Sequence, residues 1–204
     1  MANTFSPNGF QAVRRLDGAA WTGGMNTAFI SKGNTHTFFI GDPVIQLSSG
    51  YIDDVAYSSI PTQGIFGIFV GCKTVPGATG TPYGYYAGVS QTADTVAYVI
   101  TDPNVIYRAW VGSGTGAGGP GTIANISENV AYNMGTGNTS SGISGAYIDF
   151  ATKGTTSTYP LTIVGLVTFP PGYNGTDTTT AGNIVEVIFN QQAYKLGTTG
   201  VASA

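Results

Sequence analysis

Hydrophobic positions along the chain come in short β-branched and aromatic runs, each bounded by clusters of Gly, Pro, Asn, Asp and Ser. Runs of this length are too short for core helices and end where a turn residue can reverse the chain, which is the pattern of an all-β domain. Strands are predicted near residues 26–31, 36–40, 43–48, 65–73, 95–101, 104–111, 145–150, 161–168 and 184–190. The clearest alternation is Val105-Ile-Tyr-Arg-Ala-Trp-Val111. Its odd positions form a buried face, and Arg108 on the even face points to solvent or a partner. In the run 184–189, Val185, Val187 and Phe189 share one face and Ile184, Glu186 and Ile188 the other. A second face that is still apolar predicts cover by another sheet or another subunit.

The punctuation sharpens this picture. Gly41-Asp-Pro43 and Thr101-Asp-Pro103 each separate two strand-like runs. Proline fixes φ and an Asp carboxylate bonds nearby backbone N–H groups, so both read as tight corners. Three long Gly/Thr-rich loops are expected at 112–121, 135–145 and 170–182. No segment has the pattern of a long amphipathic helix; residues 124–134 are read as one short helical turn. The fold expected is therefore a β-barrel or β-sandwich of short strands with long loops and an extended N-terminal arm. Residues 1–20 form the arm and 21–204 the β-rich domain, with a boundary between two smaller β subdomains near 112–121.

Composition narrows the function. Only 17 side chains are charged (7 Lys+Arg, 10 Asp+Glu), against 31 Gly and 28 Thr, so the polar surface must be built from Thr, Ser, Asn, Gln and backbone. A net charge of -3 leaves no basic face to neutralise phosphates, which argues against nucleic-acid binding. The longest apolar runs reach about half the ~20 residues of a membrane-spanning helix, so no membrane partner is expected. Ten Phe, twelve Tyr and two Trp supply a core and argue against disorder. Cys72 is the sole cysteine, so no intramolecular disulfide forms, and the opening Met1-Ala-Asn-Thr-Phe-Ser-Pro7 predicts no secretory signal. The sequons at Asn125, Asn138 and Asn174 are then incidental to a Thr/Asn-rich chain.

Candidate chemistry is thin. His36 is the only histidine, and any Ser-His or Cys-His mechanism would have to use it; on a strand it reads as structural. Asp53 and Asp54 are adjacent and would face opposite ways on a strand. Glu128 and Glu186 could form the glycosidase acid/base pair of a small glycan hydrolase, but nothing in their spacing supports it. Gly114-Thr-Gly-Ala-Gly-Gly119 matches a dinucleotide fingerprint but runs into Pro120 with no helix after it, so it reads as a loop. Tyr83, Tyr85 and Tyr86 could stack on sugars, as in a carbohydrate-binding tail or spike component, or simply pack. No catalytic residue, cofactor or metal is assigned.

Several segments, in order, carry a resemblance. Gly9-Phe-Gln-Ala-Val-Arg-Arg-Leu-Asp-Gly-Ala-Ala-Trp-Thr-Gly-Gly24, Phe38-Phe-Ile-Gly-Asp-Pro-Val44, Ala97-Tyr-Val-Ile-Thr-Asp-Pro-Asn-Val-Ile-Tyr107, Ser144-Gly-Ala-Tyr-Ile-Asp149 and the pair Leu161–Val167 and Val185–Tyr194 resemble small structural proteins of tailed-phage head modules. That family often has Asp where Thr101 stands and His where Gln192 stands. The resemblance implies a head decoration, or cement, protein: a β-rich homodimer or homotrimer on the outside of an icosahedral capsid, made in the bacterial host cytoplasm. Its partners would be the major capsid protein and itself. The contact surface expected is the arm (Phe5, Pro7, Phe10), the basic residues Arg14, Arg15 and Arg108, and Trp21.

Overall fold

In a computed structural model the described residues are 5–54, 64–73, 84–89, 91–114, 116–167 and 181–195. Tyr83, the Asn174 sequon and most of the 170–182 loop lie outside them. The fold is all-β and contains two sheets.

The first sheet is built from β1 (Gln11–Arg15), β7 (Val105–Ser113), β8 (Gly116–Ala117), β9 (Asn129–Asn133), β10 (Tyr147–Gly154), β11 (Leu161–Leu166) and β12 (Ile184–Phe189). Pairings run β7–β10–β9–β11–β12 and back to β7, so five strands close into a barrel, with β1 and β8 added on β7. All are antiparallel except β10 on β7, registered Ile148 to Val111. Closure removes the free edges of an open sheet. The odd positions of β7 (Val105, Tyr107, Ala109, Val111) fill the interior with Val130, Tyr132, Ile148, Leu161, Ile163, Val185, Val187 and Phe189. Both alternating patterns seen in the sequence therefore face inward.

The second sheet holds β2 (Asn26–Ile30), β3 (Pro43–Gln46), β4 (Ile52–Asp54), β5 (Gly67–Lys73) and β6 (Thr95–Ile100), ordered β2-β6-β5-β3-β4. Neighbouring residues on its strands go to different cores, as period-2 side chains must. Val44, Phe69 and Val99 pack into the sheet's own cluster with Ile30, Phe38, Ile52 and Tyr86. Ile45, Ile68 and Ile100, each one residue away, pack into the barrel-side cluster. A one-residue slip would exchange the two sets, so the double burial fixes the register.

The chain changes sheet at Thr101–Asn104, not at 112–121. Residues 112–121 stay within the barrel, where Gly112 and Ser113 pair with Ala117 and Gly116 in a tight hairpin. The Asp-Pro corner is the natural break, because proline has no N–H to continue a ladder and Asp102 Oδ1 accepts from Asn104 N at 2.9 Å. Residues 36–40 make only isolated bridges, at Phe38 and Ile40. Residues 124–134 split differently from the helical reading: a 3-10 turn at Ile123–Asn125, then strand β9.

Candidate functional site

The segments that carry the resemblance lie far apart in sequence and meet where the two sheets join. Gly9 N donates to Ala146 O (3.2 Å) and Phe10 N to Gly41 O (3.0 Å). Ser144 N donates to Ile40 O (3.0 Å), and its hydroxyl donates to Asp42 Oδ1 (2.5 Å). Asp42 Oδ2 also accepts from Phe39 N (2.6 Å), the backbone bond expected of this corner. Desolvation at this joint pushes the Asp42 carboxyl up to about 7, against the opposing effect of those two hydrogen bonds. The second corner is tied in as well. Gln192 Nε2 donates to Thr101 O and Phe66 O, both at 3.1 Å.

The N-terminal segment is not a free arm over residues 5–20. Phe10 is 3% exposed and packs edge-on against Tyr132 in the barrel-side core. Phe5 sits edge-on to Tyr147 and Trp110, at 5.3 and 6.3 Å between ring centroids. Pro7 is half-buried, and residues 11–15 are laddered to β7. The physical reason is apolar area: two aromatics beside an unpaired β7 edge gain more from their own barrel than from water. Phe10 is thereby held in the core, with only 3% of its surface left accessible.

A bulge decides where Arg14 points. β1 pairs Ala12 with Tyr107 but Arg14 with Ile106, so the register shifts by one at Val13. Without the shift Arg14 would oppose Val105, whose side chain enters the core. With it, Arg14 shares the outer face of Ile106 and Arg108. There Arg14 Nη2 meets Glu186 Oε2 at 2.8 Å, and Arg108 meets Oε1 at 3.1 Å through Nη2 and 3.2 Å through Nε. The Glu186 side chain is 9% accessible, clamped between two half-exposed guanidiniums. Arg15 is held by Asp102 (2.9 Å) and Asp17 (3.6 Å). Each arginine singled out in the sequence is thus engaged within the chain, and the face carries balanced ion pairs rather than a basic patch.

Trp21 stands between two open grooves. One, of about 280 Å³, is polar and includes Arg15, Met25, Asn26 and Asp102. The other, of about 210 Å³, is lined by Phe10, Ile40, Val70, Ile100 and Ile143 beside the joint. Met25 and Ile143 are exposed at their rims.

The remaining sequence candidates resolve as packing. Tyr86 is buried, its hydroxyl donating to Asn34 O and Val89 O, and Tyr85 stacks on Phe39 at 5.4 Å. Glu128 is buried and accepts from Asn125 Nδ2 at 2.7 Å. Cys72 lies in the second sheet's core, where burial pushes its thiol up to about 11. His36 lies on the loop after β2 rather than on a strand, and Asp53 and Asp54 both reach it. In the sequence the joint was marked only by its Asp-Pro corners, because the contacts that close it, such as Gly9 N to Ala146 O and the Ser144 hydroxyl to Asp42, join residues more than one hundred positions apart.

No protein-family model, curated protein or solved structure matches the chain.

Proposed function

We propose that the chain is a phage head decoration protein: a homo-oligomer that binds the outside of an assembled icosahedral capsid and stabilises it. The observation that carries this reading is the convergence at the joint. The opening segment, the Gly41-Asp-Pro43 corner and the Ser144 loop resemble the same family in the same order, and they form one hydrogen-bonded unit in space. A set of short motifs that co-operates in one structural element is a stronger signature than its separate pieces.

The physics of cementing suits such a surface. A ligand that binds the closed shell and not its free subunits stabilises the shell by mass action, and many copies make a modest affinity per site sufficient. The contact we assign centres on the groove beside Trp21, with Ile143 at its rim. Saturable co-sedimentation of the purified chain with cognate shells, together with a higher temperature of shell rupture, is the expected result. Ile143→Asp, at an exposed position, should lower occupancy at least about tenfold without unfolding the chain. Wild-type protein that stays in the supernatant at every concentration overturns the proposal.

A further inference from the structure

The second sheet curls until its edge strands β2 and β4 approach each other, yet among the described residues no ladder joins them. Side chains cross this seam. Asn34 Nδ2 donates to Asp53 Oδ1 at 3.0 Å, and His36 Nδ1 lies 2.9 Å from Asp53 Oδ1 and 3.3 Å from Asp54 Oδ1. Below them the Tyr51 hydroxyl donates to Asp94, which also accepts from Lys32 N.

The three donor groups fit one ion. Atoms that bind a common metal at about 2.1 Å lie roughly 3.0 Å apart along an octahedral edge and roughly 3.4 Å along a tetrahedral one. The two distances from Nδ1 fall at these values, and one ligand atom from each of the three residues lies within 4.8 Å of the others. Charge points the same way. Two carboxylates face a single imidazole, and among the described residues no Lys or Arg forms an ion pair with either. The support is in place as well: Asn34 and the Asp54 N–H fix the Asp53 carboxylate, and Asn34 Oδ1 holds His36 N at 2.8 Å. The ring is half-exposed, so an ion reaches it from solvent.

We propose that His36, Asp53 and Asp54 bind a first-row divalent transition-metal ion that closes the seam of the second sheet. One nitrogen and two carboxylates favour Zn²⁺ over Ca²⁺ or Mg²⁺, which prefer all-oxygen sites.

The test uses the full chain without any affinity tag, titrated with Zn²⁺ by calorimetry. One ion per chain and a raised Tm are expected. His36→Ala and Asp54→Asn should each weaken binding at least about tenfold. Because His36 is the only histidine, a single imidazole Nδ1 resonance should shift on Zn²⁺ addition in the wild type, a readout that needs no variant. An unmoved resonance, uptake unchanged by His36→Ala, or Ca²⁺ binding as tight as Zn²⁺ overturns the proposal.

Discussion

Gly9 and Gly41 cross with their backbones in contact: a Cβ on Gly9 would lie 2.9 Å from Gly41 Cα, and one on Gly41 would lie 3.1 Å from Gly9 Cα. Both have positive φ, +75° and +98°. Gly9→Ala combines left-handed strain with a backbone clash at a joint that cannot yield, and is expected to cost more than about 3 kcal/mol. Gly24, with nothing within 4 Å of its Cβ position, is the control, and Gly24→Ala should change stability by less than about 0.5 kcal/mol. Urea unfolding of both variants measures the contrast.

Asp42 makes the joint sensitive to pH. Its folded value of about 7 lies above the ordinary carboxyl value, so its contribution is fully present below about pH 4 and is lost as pH rises through about 7. The loss is on the order of 4 kcal/mol. Asp42→Asn keeps an acceptor for Phe39 N and a partner for the Ser144 hydroxyl without the charge. The variant should gain on the wild type between about pH 4 and 7 in denaturant titrations, and the difference should level off above pH 7. The difference between the two proteins isolates Asp42, because Asp54, pushed up to about 6, tilts the wild-type profile the same way.

The Glu186 clamp should be non-additive. With Arg14→Ala or Arg108→Ala alone, the remaining guanidinium still offsets the carboxylate, and the cost should stay near or below 1 kcal/mol, since both arginines are half-exposed. The double variant leaves a nearly buried carboxylate unpaired and should cost about 3 kcal/mol, more than the two singles together. A double-mutant cycle by thermal or urea unfolding checks this, and adding Glu186→Gln to the double variant should recover part of the loss.

Tyr107 fills the barrel interior, and among the described residues its hydroxyl has no hydrogen-bond partner. Burial drives its ionisation well above the ordinary value. Tyr107→Phe keeps the ring against Phe189, 5.0 Å away between centroids, and removes the desolvated oxygen. Stability should rise by about 1 kcal/mol, read as a higher urea midpoint at unchanged slope.

What could be read from the sequence follows from locality. The strands around Val105–Val111 and Ile184–Phe189 were legible because their period-2 pattern is local and their interior face is apolar without exception. β1 was not, since Gln-Ala-Val-Arg-Arg has no apolar alternation and becomes a strand only by pairing with β7. β9 was missed because its Asn- and Ala-containing stretch has weak strand propensity, overridden by pairing to β10 and β11 on both sides. The basic residues were found by type, but their pairing was hidden: Glu186 lies 172 positions from Arg14, and a bulge no pattern announces brings them together. The joint was marked only by its corners. Asp42 was expected to bond backbone, whereas its contact with Ser144, 102 positions later, required the fold.

The barrel also imposes an order on synthesis. The strand added to it, Gln11–Arg15, is separated from its partner Val105–Ser113 by the whole of the second sheet, and its carboxylate partner Glu186 comes near the end of the described residues. On the ribosome, at roughly 5–20 residues per second, residues 26–100 emerge as a contiguous unit able to pair while the opening segment still has no edge to join. Docking of that strand on the barrel is then a late event. At that rate Phe10 and Arg14 wait in solvent roughly 5–20 s for β7 and about 9–35 s for β12, so the slowest step in maturation is expected to be the docking of the earliest residues made.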